Sequence, residues 1–257
     1  MISERVGGLT VFRFAVLAGY PELVHGVFAR EGGTSAPPFD SLNVSYGGGD
    51  DDGSVAENRR RIASWTGGMG LVVLRQVHGT AVHVVGPGAA VEGGPPQSPP
   101  EADAAVIQVP NRALLVQVAD CQPVLIFDPC RRVVAAVHSG WRGSIDNVIG
   151  RTVAVMTGDF GCRPQDMVAG IGPSLGPCCA EFVHYRRELP EPFWKYRRGT
   201  HHFDFWTASR AQLTVAGVPN AAIETGAICT RCHPHLFFSY RHTHRTGRFG
   251  AVIGLRP

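Results

Sequence analysis

Two imidazoles and one thiol stand where this sequence predicts turns. His78 lies in Arg75-Gln-Val-His-Gly79, Cys121 in Ala119-Asp-Cys-Gln-Pro123, and His138 in Ala136-Val-His-Ser-Gly-Trp-Arg-Gly143. Each closes a predicted strand, so side chains from different strands can converge there. Two histidines and a cysteine form a three-ligand zinc set that leaves a fourth position for water or substrate, as catalytic sites do. Separations of 43 and 17 residues match no short ligand motif. A buried structural cysteine with two hydrogen-bonded histidines is therefore the competing reading. The same residues also fit cysteine-hydrolase chemistry, with Cys121 as nucleophile and His138 as its base.

Other clusters compete for attention. Cys229-Thr-Arg-Cys-His233 spells the haem c attachment pattern, and with His235, His242 and His244 it can also be read as a second metal site. Haem c is attached outside the cytoplasm, whereas Met1-Ile-Ser-Glu-Arg5 leads into no apolar stretch of signal-peptide length. His233-Pro-His235 and His242-Thr-His244 suggest copper, and Cys121 with two histidines resembles a copper set. The His-Cys-His segment of four-copper oxidases is absent. Copper-dependent phenol oxidation would then be adventitious, and of the seven cysteines chemistry is assigned to Cys121 alone.

These residues need elements to position them. His25–Arg30 reads as a strand, 31–38 and 47–54 as loops, and Val55–Thr66 as a helix with Val55, Ile62 and Trp65 on one side. Carboxylates at 50–52 suit the N-terminus of that helix. Leu71–Val77 and Thr80–Val85 read as strands around His78-Gly79, followed by a Gly/Pro-rich loop over 86–100. Ala104–Val109, Ala113–Val118, Pro123–Phe127 and Val133–His138 are short apolar runs between turns, read as strands. Ser144–Phe160 is a predicted helix closed by Gly161, and Met167–Ile171 a strand. Asp204 caps a helix ending at Gly217, and Leu236–Tyr240 and Phe249–Leu255 are the last strands. Strands that cluster rather than alternate with helices indicate an α+β fold. No linker or short-period repeat divides the chain, so residues 1–257 are read as one domain.

Composition narrows the function classes. At 257 residues and 44% hydrophobic, the chain can bury a core. Its net charge of +3 is no basic stripe, so nucleic-acid binding is not expected. Apolar runs such as Val133–Val137 are too short to span a membrane. An odd cysteine count in a long chain argues against a disulfide framework, and a cytoplasmic protein with free or metal-bound cysteines is expected. Of 24 basic residues only Lys195 is a lysine. A general composition bias explains that better than anion binding does.

Arg75-Gln-Val-His-Gly79, Ala119-Asp-Cys-Gln-Pro-Val124, Ala136-Val-His-Ser-Gly-Trp-Arg-Gly143, Gly170-Ile-Gly-Pro-Ser174 and Phe237-Phe-Ser-Tyr-Arg241 together resemble the YfiH/FAMIN family. This family was long labelled laccase-like and is now described as purine nucleoside phosphorylases. The resemblance runs in family order from Ala29-Arg-Glu-Gly-Gly33 and Ser41-Leu-Asn43 to Thr246-Gly-Arg248. It implies mixed β-sheets flanked by helices, a fold that has been compared with cysteine-hydrolase toxins. It implies metal ligation by His78, Cys121 and His138, with zinc favoured over copper. It further implies phosphorolysis of adenosine, inosine and methylthioadenosine, with adenosine deamination beside it. A monomer or homodimer is expected, with purine nucleoside and phosphate as its small-molecule partners.

Phosphate calls for bidentate arginine, and Arg59, Arg241 and Arg248 are the candidates. Each is also readable as a surface or scaffold arginine. Asn43 and Tyr240 can orient sugar or base, or be an ordinary turn asparagine and core tyrosine. The chain departs from the family pattern at His242, where a second arginine is usual, and at Ala180, where tyrosine is common. Two alternatives keep the same residues: an amidase editing cell-wall precursors, which some family members resemble, and a non-catalytic zinc protein with a fourth protein ligand.

Overall fold

A computed structural model describes residues 1–88 and 99–257. The middle of the Gly/Pro-rich loop expected over 86–100 lies outside the described residues. The strands in chain order are β1 (Ile2–Val6), β2 (Leu9–Arg13), β3 (Leu23–Phe28), β4 (Gly70–Val73), β5 (Val82–Val85), β6 (Ala104–Ile107) and β7 (Arg112–Val118). They continue as β8 (Gln122–Asp128), β9 (Val133–Ser139), β10 (Val168–Ile171), β11 (Arg197–Arg198), β12 (His202–Phe203), β13 (Ile223–Thr225) and β14 (Phe249–Leu255). The helices are α1 (Ala15–Ala18), α2 (Asp52–Trp65), α3 (Trp141–Ile145), α4 (Val148–Phe160), α5 (Tyr185–Glu188) and α6 (Phe205–Val215).

Two mixed six-stranded sheets result, ordered β1-β2-β3-β14-β7-β4 and β13-β10-β8-β9-β6-β5. The central strands β8, β9 and β14 are buried on both faces, which is why they read as continuous apolar runs. Along β9 the side chains alternate: Val134 and Ala136 enter the core shared by the sheets, while Val133, Ala135 and Val137 pack with α4 and α6. Along β7, Leu114, Val116 and Val118 face that shared core, while Ala113 and Leu115 join Ile62 of α2 on the other side. The layers therefore run α2, first sheet, second sheet, α4 with α6. This is an α+β fold with mixed sheets flanked by helices.

Several elements differ from the sequence expectation. The helix expected over 144–160 is two helices, because Asn147 takes a left-handed conformation (φ 58°) and caps α4 by accepting from the Gly150 amide. Leu236–Tyr240 is not a strand. The amides of Leu236 and Phe237 both return to the His233 carbonyl in a turn, and successive Phe237 and Phe238 are both fully buried. β1 and β2 went unanticipated, since the mostly exposed Ile2–Val6 carries no apolar alternation. At α2 the expectation holds: Asp51 accepts from the Ser54 amide at 2.7 Å, and Asp52 sits in the first turn.

Candidate metal centre and active site

The connection from β4 to β5 and the connection from β7 to β8 both pass from the first sheet to the second. His78 lies on one crossing and Cys121 on the other. His138 stands near the end of β9, in register to follow Val134 and Ala136 onto the inter-sheet face. The three meet at one end of the sandwich, with their potential ligand atoms all within 4.8 Å of one another. The two imidazole rings lie edge to face, centroids 4.8 Å apart at 79°.

Backbone geometry makes this convergence possible. His78 itself has φ 61°, and Asp120, just before Cys121, has φ 82°. Both occupy the left-handed region, which few non-glycine residues adopt. Gly140 comes so close that a Cβ there would lie 2.9 Å from His78 Cδ2 and 3.2 Å from Cys121 Sγ.

Asp103 organises the site, though the sequence reading did not single it out. It is fully buried, and its Oδ1 lies 2.8 Å from His138 Nδ1. Its carboxylate also accepts from the His78 amide at 2.9 Å and the Gly79 amide at 2.6 Å. An acceptor at Nδ1 keeps the proton there and frees the His138 Nε2 lone pair for a ligand. Burial pushes the Asp103 carboxyl up, but His138 and these amides hold it below its usual range. Burial likewise disfavours the Cys121 thiolate, yet His138 and His78 pull the thiol down to about 6. The one available signal for Asp103 was a carboxylate opening an apolar strand, Asp103-Ala-Ala-Val-Ile107. Such a residue is seldom buried unless it is paired.

The triad opens into a cavity of about 780 Å³. Among the described residues lining it, Arg59, Arg75, Arg142, Arg241 and Arg248 face a single carboxylate, Asp120. That carboxylate is itself engaged, accepting from Thr230 Oγ1 at 2.6 Å and from the Arg241 amide at 2.6 Å. Tyr46, Trp141, Phe182, Phe205 and Tyr240 supply aromatic wall.

The sequence-selected residues divide here. Arg59 projects from the buried face of α2, donates Nε to the Val44 carbonyl at 2.6 Å and packs over Tyr46 at 4.4 Å. Burial lowers its pKa to about 10. Arg248 donates to the Thr246 and Gly247 carbonyls, and Arg241 to the Glu181 carbonyl. Tyr240 is half exposed and stacks on His244 at 4.9 Å, so it is no core residue. Asn43 stands apart, because it does not line the cavity. Its amide donates to Asp50 and the Ser45 carbonyl, and its Oδ1 accepts from the Arg248 amide. Its connection to the cavity is through that Arg248 backbone. Arg75 and Arg142 lie in the quoted motifs but were not singled out. Arg75 pairs with Glu101 at 2.9 Å, and Arg142 stacks on Trp141 at 4.3 Å.

The family description "multi-copper polyphenol oxidoreductase laccase" matches residues 24–256. The chain belongs to that family. Its YfiH and YlmD relatives include purine nucleoside phosphorylase YlmD of Geobacillus stearothermophilus, 34% identical over 91% of this chain and 90% of the relative. A purine nucleoside phosphorylase of Deinococcus radiodurans is 35% identical over 96% and 94%. The crystal structure of the Geobacillus YlmD superposes with TM-score 0.89 at 31% identity, covering 99% and 98% of the two chains. That of YfiH from Bacillus licheniformis gives 0.88 at 28%, covering 98% and 97%.

For a YfiH/YlmD chain the copper reading finds little to work with beyond the triad. Among the described residues, the groupings of three or more possible ligands are the triad and a set of four cysteines. Neither His-x-His pair joins one. His233 of the haem-like motif is engaged locally, with Nδ1 2.9 Å from the Cys229 carbonyl.

Proposed function

We propose that the chain is a zinc-dependent purine nucleoside phosphorylase acting on adenosine, inosine and methylthioadenosine, with adenosine deamination as a companion activity. One observation carries this reading: a two-histidine, one-cysteine triad opens into a cavity walled by five arginines and several aromatic rings. The names of the relatives support it.

The donor set fits zinc. Two imidazoles and a thiolate suit a borderline-soft ion, the Asp103 contact fixes one imidazole's tautomer, and three protein ligands leave a position open. A bound zinc supplies a Lewis acid and lowers the pKa of coordinated water to ~7. The protein's own contribution is positioning. Arg241, Arg248 and Arg59 hold phosphate near the ribose C1′, and the aromatic walls stack the purine. In phosphorolysis a phosphate oxygen bonds to C1′ as the C1′–N bond breaks, its electron pair leaving with the base, which takes up a proton. Asn43 takes part by holding the Arg248 backbone, and Tyr240 offers its ring and hydroxyl at the rim. We further read the protein as cytoplasmic. No helix among the described residues is long and apolar enough to cross a membrane.

The deciding assay incubates zinc-replete protein with inosine and phosphate. Hypoxanthine and ribose 1-phosphate are the expected products, and failure to form either overturns the phosphorylase. His78→Ala is expected to lose the zinc held by the triad. Unchanged zinc content would show that the ligand set is wrong.

A second reading rests on the Cys121, His138 and Asp103 series, whose order is that of a nucleophile, its base and an orienting carboxylate. As an amidase the protein would release an amino acid from a muramyl precursor. That activity would survive full chelation but vanish in Cys121→Ala, whereas chelation abolishes the zinc-dependent reaction.

A further inference from the structure

Four cysteines outside the triad meet on two segments tied to Asp120, to which the Leu175 amide and the Thr230 hydroxyl both donate. Cys178 and Cys179 lie in the loop after β10, and Cys229 and Cys232 in the segment leading toward β14. Their sulfurs all fall within 4.8 Å of one another. Cys232 Sγ lies 3.6 Å from Cys178 Sγ and 3.5 Å from Cys179 Sγ. A zinc–thiolate bond of ~2.3 Å sets neighbouring sulfurs of a tetrahedron ~3.8 Å apart. A disulfide holds its sulfurs at ~2.05 Å, so the observed spacing is close to a tetrahedral edge and far from a bond.

The surroundings are built around this cluster. The Gly176 amide donates to Cys229 Sγ at 3.3 Å, the kind of outer hydrogen bond that orients a metal thiolate. A Cβ on Gly176 would lie 3.0 Å from Cys229 Cβ and 2.7 Å from Trp206, so no larger residue fits there without displacement. Ser174 and Cys229 pair as an isolated parallel bridge, with the Ser174 amide donating to Ile228 and the Thr230 amide to Ser174. Cys179 and Cys229 are buried while Cys178 and Cys232 are exposed, leaving one side open to solvent.

We propose that Cys178, Cys179, Cys229 and Cys232 form a second metal centre, a tetrathiolate zinc site with four protein ligands. Four ligands close the coordination sphere, which makes the centre structural where the triad is open. It clamps the loop bearing Leu175 and Ala180 to the segment bearing Tyr240 and Arg241, and all four of those residues line the cavity. The haem-like spacing of Cys229 and Cys232 then reads as half of a zinc knuckle.

Metal analysis of the full chain, purified under reducing conditions, tests this. Two zinc ions per chain are expected. His78→Ala should retain one, and X-ray absorption of that variant should show four sulfur neighbours at ~2.3 Å. Cys178→Ser combined with Cys232→Ser should lose one equivalent. If that double variant does not fold, the absorption spectrum of His78→Ala still decides. No zinc retained by His78→Ala, a disulfide among the four cysteines in the reduced protein, or iron or copper in their place would each overturn the proposal.

Discussion

Asp103 shows how much can hang on one carboxylate. It orients His138, and through the His78 and Gly79 amides it also holds the turn that presents His78. In Asp103→Asn the amide nitrogen must face either the His138 Nδ1–H or a backbone N–H, so two donors collide. His138 then turns to the tautomer that protonates Nε2, and zinc affinity falls roughly 10- to 100-fold. Competition titration against a chelator reads this, and an affinity equal to wild type would sink the assignment. The triad was legible in the sequence through the family motifs that carry His78, Cys121 and His138, since separations of 43 and 17 residues mark no ligand set by themselves. Asp103 was not, since one aspartate before an apolar run carries no mark of its partner 35 positions away. Of the arginines, position along the chain says nothing about which five meet. That depends on α2, the β4–β5 crossing, α3 and the 240–248 segment converging.

At the scale of elements, the turns decide whether ligands can meet. Gly140 links β9 to α3 at the closest approach to both His78 and Cys121. Gly140→Ala pushes a methyl against that imidazole and sulfur. It is expected to lower bound zinc and activity at least tenfold, while far-ultraviolet circular dichroism stays native. Full zinc occupancy in this variant would show that the ring and thiol have room to yield. Strands buried on both faces were legible from their apolar runs, and Asp204 as the cap of α6 from its place before the helix, where it accepts from the Thr207 amide at 2.9 Å. The break at Asn147 and the turn through Phe237 and Phe238 were not. Residues 144–160 keep a helical pattern across the break, and two phenylalanines satisfy a strand pattern while occupying a turn. The cavity's outer wall was also hidden. Aromatic residues between 180 and 205 form their own cluster around Phe182, Tyr185 and Phe203 without long regular elements.

Across the whole molecule, stability is coupled to pH by a histidine remote from the triad. His25 is fully buried on β3, and its Nε2 accepts the Phe14 amide at 3.0 Å. Burial and nearby Arg13 lower its pKa to about 4, with Glu224 opposing. The folded pKa lies below the unfolded one, so between pH 6.5 and 4 the unfolded chain binds a proton that the folded chain refuses. Stability from this group is complete above pH 6.5 and falls as the pH drops through that window. From pH 7.5 to 5, urea unfolding of metal-free protein should lose about 2 kcal/mol more in wild type than in His25→Gln. Equal losses would mean that the imidazole titrates alike in both states.

The position of β14 reaches beyond the folded state. Residues 249–255 lie between β3 and β7, so neighbours from residues 23–28 and 112–118 are joined only through them. On a ribosome, the first sheet remains two halves with open edges until that segment emerges. Arg248, immediately before it, is therefore among the last cavity residues to be placed. A chain stopped short of Phe249 would present unpaired β edges to its neighbours, and aggregation rather than weak catalysis is its expected fate.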